Sequence, residues 1–413
     1  MSVILVMSAT TYRAAPFQQA ARNLGLTVIP AVDLPPELAE TWHVPLAVNL
    51  RQPDQAVAAI LAYAQTHPVQ AILGLDDAAT LVAAQASAAL NLPHNDPAAA
   101  LAARDKHIMR QAMQRAGLTV PTFTPYPLDC DPIALAPTLN YPIVVKPTLL
   151  NGSRGVIRTN TPAEFIAAWQ QTAAIIHHSI GDTILVEDYI PGVEVAVEAL
   201  LTPTGLQPLA IFDKPDPLDG PYFEETIYVT PSRLPAETQA AILTTTAATA
   251  RAIGLRTGPV HAELRVNDRG VWPIEIAGRS IGGLCSATLR FGPGLSLEEL
   301  ILRQAVGLST EFEREHAARG VMMIPIPARG QLRAVHGLNK AEAVPGIESI
   351  EISLPLHSML VPLPEGQSYL GFIFAHGNHP AAVEAALRQA HDHLRFDIEP
   401  GLPILNADFQ VRA

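Results

Sequence analysis

Two acidic residues on a predicted β-hairpin are the side chains of this sequence best suited to chemistry. Glu263 and Glu275 lie in two alternating runs that are joined by a turn at residues 267–270. Facing residues of an antiparallel hairpin lie close enough for two carboxylates to share one cation. Mg²⁺ takes oxygen ligands, commonly one or two carboxylates together with phosphate oxygens. Arg279, just beyond the second run, can hold a phosphoryl group through its guanidinium. The pattern therefore predicts a magnesium–phosphate site and phosphoryl transfer.

The alternative is that both glutamates face water on an ordinary hairpin, because alternating strands routinely present acids to solvent. For the pair taken alone, this alternative is the better interpretation. Three segments upstream favour the magnesium–phosphate site over the solvated hairpin. Each has the features of a phosphate or nucleotide site, and they occur in a fixed order along the chain.

Two lysines provide the first of these segments. Lys106 lies on a predicted helix, and Lys146 directly follows the apolar strand at residues 143–145. Ammonium groups from two separate elements can hold one polyphosphate between them. A lysine at the end of a buried strand is costly to leave unpaired, which favours a phosphate partner for Lys146. Lys106 by itself is more typical of a solvated helix lysine.

A short glycine-bearing loop follows Lys146 and can bind an anion through its backbone. It contains Gly152, Ser153 and Gly155, and successive N–H groups of such a loop can curl over a phosphate. Many hairpin turns share this composition. The prediction therefore depends on the position of the loop directly after Lys146.

The third segment is a charged turn that can bind a nucleoside. It follows the strand at residues 184–186 and runs from Glu187 past Ile190 to Glu194. Backbone groups at the strand edge can read an adenine, an apolar isoleucine can pack on the ring, and a glutamate can accept both ribose hydroxyls. In isolation, a plain charged turn between two strands explains this segment equally well.

The elements around these segments predict a multidomain protein of α/β and α+β class. Residues 1–95 alternate strands and helices, which indicates a small doubly wound parallel sheet. Residues 96–310 form a predicted α+β core that opens with one helix ending at Gly117. Residues 320–413 read as a separate small α+β lobe.

In this order, the segments resemble the ATP-grasp superfamily of ATP-dependent carboxylate–amine and carboxylate–thiol ligases. The resemblance spans about residues 96–310 and rests on Asp105, Lys106, residues 144–147, 152–155 and 186–192, Glu263, Glu275 and Arg279. Within the superfamily, the sequence is most similar to the L-amino-acid ligase group, including a small C-terminal lobe around residues 321–327 and 369–374. The first lobe similarly resembles the preATP-grasp domain of these ligases.

The resemblance implies a fold, an activity and roles for single residues. It implies an ATP-grasp core that binds ATP and Mg²⁺, with Mn²⁺ able to replace Mg²⁺. The implied roles are the nucleotide phosphates for Lys106 and Lys146, adenine for Glu187 and Ile190, ribose for Glu194, the metal for Glu263 and Glu275, and the transferred phosphoryl group and tetrahedral intermediate for Arg279.

One position departs from the family pattern. The family usually carries a metal-binding Asn two residues after the second glutamate, and this chain has Ala277 there. Because Mg²⁺ commonly keeps several waters, a water can replace the missing oxygen, and weaker metal affinity is expected. Ala277 is also the one direct argument for a non-catalytic nucleotide-binding member.

The expected activity is the ATP-dependent joining of two small-molecule substrates, here amino acids, into a dipeptide through an acyl phosphate. A carboxylase or a purine-pathway-type ligase with the same nucleotide core is the alternative enzyme. Glu224 and Glu225, in a proline-bearing loop, and His261 on the hairpin lie near the same segments. Each is more typical of a structural residue, so none is assigned to catalysis.

Composition limits the partners and the compartment. The chain has 413 residues, 48% of them hydrophobic, and 39 acidic against 27 basic residues give a formal charge of −12. This charge repels nucleic acid and anionic lipid. No apolar run approaches the length of a membrane span, and two cysteines are too few for a disulfide framework. We therefore expect a cytoplasmic protein without nucleic-acid or membrane partners, and a homodimer by resemblance alone.

Overall fold

The computed structural model describes residues 1–292, 294–315, 317–366 and 369–400. The end of the predicted C-terminal lobe, residues 401–413, lies outside the described residues. No helix in these described ranges combines the length and the apolar character needed to cross a bilayer.

The N-terminal lobe is a four-stranded parallel sheet with strand order β3-β2-β1-β4. Alternate residues of β1 face opposite layers: Val3 packs in one core with Phe17 of the first helix, and Ile4 packs in another with Ile60 of the third. Helices therefore cover both faces, as predicted for a doubly wound sheet. Its elements are β1 Ser2–Ser8, α1 Ala14–Asn23, β2 Thr27–Asp33, α2 Pro36–Thr41, β3 Leu46–Val48, α3 Pro53–Ala64, β4 Ala71–Gly74 and α4 Asp77–Ala89.

The single helix predicted before Gly117 is in fact two helices, α5 Pro97–Arg104 and α6 Lys106–Arg115. The backbone is extended at Asp105, whose carboxylate accepts hydrogen bonds from the N–H groups of His107 and Ile108 at 2.8 and 3.0 Å. An aspartate N-cap of this kind starts a new helix. The break places Lys106 at the start of α6 rather than in the middle of a helix.

A four-stranded antiparallel sheet of order β5-β8-β6-β7 follows and forms one wall of the site described below. Apolar side chains of helix α8, including Phe165 and Trp169, pack against it in one core with Val145 and Val186. Its elements are β5 Phe123–Pro127, α7 Pro132–Leu135, β6 Ile143–Pro147, β7 Ile157–Thr159, α8 Pro162–His177 and β8 Thr183–Asp188.

The central sheet has eight antiparallel strands and continues into the C-terminal region, with order β13-β12-β9-β10-β11-β16-β20-β18. The elements of the core from this sheet onward are β9 Val193–Thr202, β10 Gly205–Asp213, β11 Ile227–Thr230, α9 Ala236–Ile253, β12 Gly258–Asn267, β13 Gly270–Ala277, β14 Phe291–Gly292, α10 Leu297–Ala305 and β15 Glu313–Arg314. The C-terminal elements are β16 Ala318–Ile324, β17 Gly330–His336, α11 Leu338–Glu342, β18 Ile347–Ile352, β19 Met359–Leu360, β20 Gly371–Gly377, α12 Pro380–His393 and β21 Arg395–Glu399. Strands β14 and β15 form a separate two-stranded sheet, and β19, β17 and β21 form a three-stranded one.

The C-terminal region is the predicted small lobe, and its main sheet is continuous with that of the core. Strand β16 pairs with β11 of the core, so that Ile227 faces Met322 and Tyr228 faces Val321. Both strands carry apolar residues, and sharing one ladder buries these residues and satisfies the backbone groups of both edges. The domain boundaries near residues 95 and 310–320 remain predictions.

Close packing of helix α12 on this shared sheet requires a glycine in β16. A Cβ at Gly320 would lie 2.7 Å from Cγ1 of Val383 and 2.9 Å from the carbonyl oxygen of Tyr228. We expect Gly320→Ala to lower the free energy of unfolding by about 1–3 kcal/mol, because overpacking forces the helix away from the strand. Thermal unfolding measures the change. Gly292→Ala, whose Cβ would lie 3.6 Å from the Glu313 carbonyl oxygen, is the control, and equal stability of the two variants would contradict the prediction.

Candidate active site

A cavity of about 840 Å³ lies where the N-terminal lobe, the four-stranded sheet and the central sheet meet. This volume is within the usual range for small-molecule sites. Every site residue predicted from the sequence lines it except Gly155; they are Lys106, Lys146, Gly152, Ser153, Glu187, Ile190, Glu194, Glu263, Glu275 and Arg279. Residues separated by up to 173 positions are thus brought to one place by the fold.

Lys146 and Glu187 form a buried ion pair on neighbouring strands, completed by Arg110. The Arg110 guanidinium donates to both carboxylate oxygens of Glu187, at 2.6 and 3.2 Å, and the ammonium of Lys146 contacts the same carboxylate. Burial lowers the pKa of Lys146 to about 8, although Glu187 opposes the change. Burial alone would raise the pKa of Glu187, but the two cations outweigh it and the pKa is lowered. A charge network of this kind fixes Lys146 at the cavity wall.

Arg110 was not predicted from the sequence, and its presence changes the interpretation of Glu187. The Glu187 carboxylate is held by two cations of the protein, so its side chain positions Lys146 in this structure. The adenine role that the resemblance implies for Glu187 remains a prediction. Arg110 follows Lys106 by four residues on α6, and that spacing on one helix face is the signal that could have found it.

Lys106 connects the hairpin to the segment that leads into the glycine loop. Its ammonium donates to the carbonyl oxygen of Leu150 at 2.7 Å and to Oε1 of Glu275 at 3.2 Å. The side chain is buried because α6 begins here and directs it inward. Lys106 and Lys146 thus reach the cavity from a helix and a strand, as predicted.

Lys214 is a further cation of the site that the sequence analysis did not assign. Its ammonium lies 2.9 Å from Glu194, 2.5 Å from Glu225 and 3.3 Å from Glu263. These charges raise the pKa of Lys214 well above its usual value, although burial opposes the rise. Strand β10 ends at Asp213, and Lys214 is the next residue. The same signal that identified Lys146, a lysine closing an apolar strand, applies here.

The pairing of the two hairpin glutamates is as predicted: Glu263 of β12 faces Glu275 of β13 in the ladder. Their side chains have different partners, since Glu275 contacts Lys106 and Glu263 contacts Lys214. Ligand oxygens of Glu194, Glu225 and Glu263 also lie within 4.8 Å of one another, a spacing that suits one cation. The donor set is hard carboxylate oxygen, which fits Mg²⁺, and the metal role of Glu263 and Glu275 remains a prediction.

Ala277 takes the place of the expected asparagine and supplies no oxygen. It is buried at the end of β13 and faces His261 in the ladder. The imidazole and the two glutamates therefore surround a position without an amide ligand.

Arg279 is held by a residue of the N-terminal lobe. Asp77, the first residue of α4, accepts from Nε of Arg279 at 2.6 Å and from a terminal nitrogen at 2.8 Å. The other terminal nitrogen donates to the carbonyl oxygen of Ser280 at 2.9 Å. Burial alone would raise the pKa of Asp77, but Arg279 holds it well below its usual range. A guanidinium has five N–H donors, so two remain to receive an anion from the cavity.

Asp77 was missed, although its sequence position carries a signal. It lies just after β4, at the carboxyl edge of a parallel sheet, where ligand-binding side chains of such sheets collect. Its carboxylate also accepts a hydrogen bond at 2.7 Å from Asn151, which precedes the glycine loop. One carboxylate therefore links the N-terminal lobe, Arg279 and the loop.

The glycine loop has the left-handed backbone that its composition suggests, with φ of +60° at Gly152, +54° at Ser153 and +73° at Gly155. Gly152 and Ser153 line the cavity, as predicted for an anion-binding loop. Gly155 does not, because its N–H donates to the carbonyl oxygen of Pro364 at 2.9 Å. This bond attaches the loop to the C-terminal region.

His261 forms the middle of a buried chain of charges. Its Nδ1 lies 3.1 Å from Glu198, and its Nε2 lies 3.6 Å from Glu263. Glu198 also accepts from the N–H of Ile281, in the loop that carries Arg279. Burial alone would lower the pKa of His261, but the two carboxylates raise it to about 9. A protonated His261 therefore holds Glu263 in place, which supports a structural role.

This charge makes part of the stability dependent on pH. The pKa of His261 is above the ordinary 6.5, so protonated His261 stabilises the fold fully below about pH 6.5, and that stabilisation is lost as pH rises through about 9. We expect His261→Gln to be less stable than the natural chain by up to about 3 kcal/mol at pH 6, and this gap to close near pH 9.5. Thermal unfolding across this range measures it. The exposed His67→Gln is the control, and a gap independent of pH would contradict the prediction.

Three models of known domains match successive parts of the chain. The ATP-grasp N-terminal domain matches residues 17–94, the ATP-grasp domain matches residues 139–288, and the L-amino acid ligase C-terminal domain 2 matches residues 322–399. The matches confirm the resemblance that the motifs predicted, including the assignment of the C-terminal region.

Curated proteins show more distant similarity. The chain is 22% identical over 323 residues to the uncharacterised protein y4rH of Sinorhizobium fredii, covering 75% of this chain and 64% of that protein. It is 29% identical over 211 residues to a D-alanine–D-alanine ligase of Stutzerimonas stutzeri, covering 48% of this chain and 63% of the ligase. The alignments thus span less than two thirds of the length of these relatives.

The fold as a whole matches a solved structure. It aligns with the L-amino acid ligase from Bacillus licheniformis with a TM-score of 0.79, over 96% of this chain and 98% of that chain, at 24% sequence identity. This likeness establishes the architecture of all three regions. On the matched domains and the shared fold, the chain belongs to the ATP-grasp superfamily and carries a C-terminal domain of the L-amino acid ligase type.

Proposed function

We propose that the chain is an ATP-dependent carboxylate–amine ligase that joins two amino acids through an acyl phosphate. The observation that carries the proposal is the convergence of three cations, Lys106, Lys146 and Arg279, with the hairpin carboxylates on one cavity. Paired cations around one cavity are suited to a polyphosphate and to the charge that moves during phosphoryl transfer.

The nucleotide fits the side of the cavity formed by the four-stranded sheet. Its phosphates lie near Lys106, Lys146 and the N–H groups at Gly152 and Ser153, and Ile190 packs on the adenine. Ribose binding at Glu194 exchanges one of its present partners, Arg265 at 2.9 Å or Lys214. A metal ion held by Glu263 and Glu275 would neutralise phosphate charge and orient the γ-phosphoryl group.

The first chemical step forms the acyl phosphate. A carboxylate oxygen of the first substrate attacks the γ-phosphorus of ATP, the bond to the β–γ bridging oxygen breaks, and ADP leaves with the electron pair. Lys106 and Lys146 neutralise the charge on the phosphate oxygens. The role of the chain is to position the two reactants in line and to exclude water from the product.

The second step forms the amide. The neutral amine of the second substrate attacks the carbonyl carbon, and the two unused N–H groups of Arg279 hold the developing oxyanion. The carbon–oxygen bond to phosphate breaks, and inorganic phosphate leaves with the proton that the amine nitrogen loses. Asp77 keeps the guanidinium oriented through both events because it fixes one edge of the fork.

The matched C-terminal domain favours amino acids over the alternative acceptors. The same nucleotide core serves carboxylases and purine-pathway ligases, so the core alone does not select among them. The domain at residues 322–399 is named for L-amino acid ligases and contributes Met323 and Leu354 to the cavity. This favours a dipeptide product.

The function is tested by incubation of the protein with magnesium-ATP and pairs of common amino acids. ADP, phosphate and a product whose mass equals two amino acids minus water are expected together. Arg279→Ala should reduce amide formation by about 100-fold or more, because the oxyanion loses its donors. Arg269→Ala, an exposed arginine on the turn of the same hairpin, is the control. ATP binding without amino-acid-dependent phosphate release would contradict the proposal and favour a non-catalytic role.

The orientation of Arg279 by Asp77 gives a second prediction. In Asp77→Asn the amide replaces one acceptor oxygen with a donor, so the two-bond contact with Arg279 is lost. We expect kcat to fall by about 10- to 100-fold and the KM for ATP to change by less than about threefold. Asp54→Asn, an exposed aspartate in the first turn of α3, is the matched control. Unchanged kcat in Asp77→Asn would contradict the positioning role.

A further inference from the structure

The cavity has an uncharged end that the nucleotide and phosphate groups do not use. It is lined by Tyr12, Cys285, Met323, Leu354 and Tyr369, which we name the aromatic recess. Resting on the proposed function, we propose that the aromatic recess binds the side chain of the carboxylate-donating amino acid, and that this side chain is apolar.

The recess has a rigid aromatic back wall. Phe372 of β20 is fully buried, and its ring meets Tyr12 at a centroid distance of 5.8 Å and Tyr369 at 6.1 Å, both edge to face. Gly283 lies against the same ring, where a Cβ would approach it to 2.9 Å. Aromatic pairs in this geometry hold their positions well. The recess is therefore a shaped surface that is suited to apolar contact.

The recess adjoins the reacting groups on two sides. Gly283 ends the short loop that begins at Arg279, so the oxyanion donor and the recess share one loop. On the other side, Tyr369 lies close enough to Glu225 and Lys214 for their charges to act on its phenol. A carboxylate placed at Arg279 consequently has its own side chain next to the recess. The recess therefore contacts the side chain of the substrate whose carboxylate is phosphorylated, and it selects that substrate.

The two glutamates of the neighbouring loop already have partners. Glu225 accepts from Lys214 at 2.5 Å and from the hydroxyl of Tyr228 at 2.6 Å. Glu224 accepts from the backbone N–H of Ile326. Burial raises the pKa of both the Cys285 thiol and the Tyr369 phenol, so these groups are neutral near pH 7. A charged substrate side chain would lose water against the neutral groups that line the recess, which is costly.

The wild-type chain is tested with a series of unbranched amino acids offered with one fixed acceptor. Along alanine, 2-aminobutyrate, norvaline and norleucine, kcat/KM should rise about fourfold for each methylene. Lysine and glutamate should be about 100-fold poorer than norleucine. Fragmentation of the product by mass spectrometry should place the apolar residue at the N-terminal position, because the carboxylate donor becomes that residue.

A matched pair of variants tests the location. Leu354→Arg places a charge in the recess, and Leu356→Arg places one on the surface two residues later, where the side chain is 53% exposed. We expect the first to lower kcat/KM for norleucine about 10-fold or more, with the KM for ATP within about twofold, and the second to leave both unchanged. ATP binding by Leu354→Arg shows that it folds. Leu354→Ala should flatten the chain-length series, because the recess loses apolar contact with the longer side chains.

The outcomes separate this proposal from the proposed function. No amide product from any amino acid in the wild-type chain overturns the proposed function itself. Three results overturn the proposed role of the aromatic recess alone. They are a preference for charged carboxylate donors, an apolar residue at the C-terminal position of the product, and amide formation that is unchanged in Leu354→Arg.

Discussion

The constraint on which this site depends is that a buried charge requires a partner. Three cations suited to phosphate, Lys106, Lys146 and Arg279, line the cavity, and each is already paired with a carboxylate of the protein. Removal of such cations from water without these partners would cost several kcal/mol each. The carboxylates therefore keep the cations charged and oriented before any ligand is present. Ligand binding at such a site is an exchange of partners, and this favours anions that can replace several carboxylates at once.

The same constraint explains the architecture around the cavity. Asp77 comes from the N-terminal lobe, Glu187 from the four-stranded sheet, and Glu263 and Glu275 from the central hairpin. Three of the ion pairs join residues of different regions, Arg279 with Asp77, Lys106 with Glu275 and Arg110 with Glu187, and these pairs fix the regions relative to one another. The hydrogen bond from Asn151 to Asp77 and the bond from Gly155 to Pro364 attach the glycine loop at both ends. The position of the loop and the orientation of Arg279 thus depend on one carboxylate.

The continuous central sheet supplies apolar residues to the part of the cavity that forms the aromatic recess. Strands β16 and β20 extend the sheet that carries the hairpin with Glu263 and Glu275, and they bring Met323 and the wall of Phe372 to the same cavity. The hairpin carboxylates and this part of the aromatic recess are therefore built on one sheet. A nucleotide core shared with other ligases can take a different substrate through changes in these added strands alone.

The sequence by itself determined the parts of this protein that rest on local pattern. Strand β1, helix α12 and the hairpin with Glu263 opposite Glu275 follow from apolar runs, helical periodicity and turn residues, which act over a few positions. The ordered motifs also predicted the superfamily. Tertiary structure decided the break at Asp105, the joining of the C-terminal strands to the core, and the withdrawal of Gly155 from the cavity. It also decided the partners: Arg110 for Glu187, Asp77 for Arg279, and three carboxylates for Lys214. These contacts join residues up to 202 positions apart, and a pairing across such distances is fixed by the packing of whole elements, which one sequence does not display.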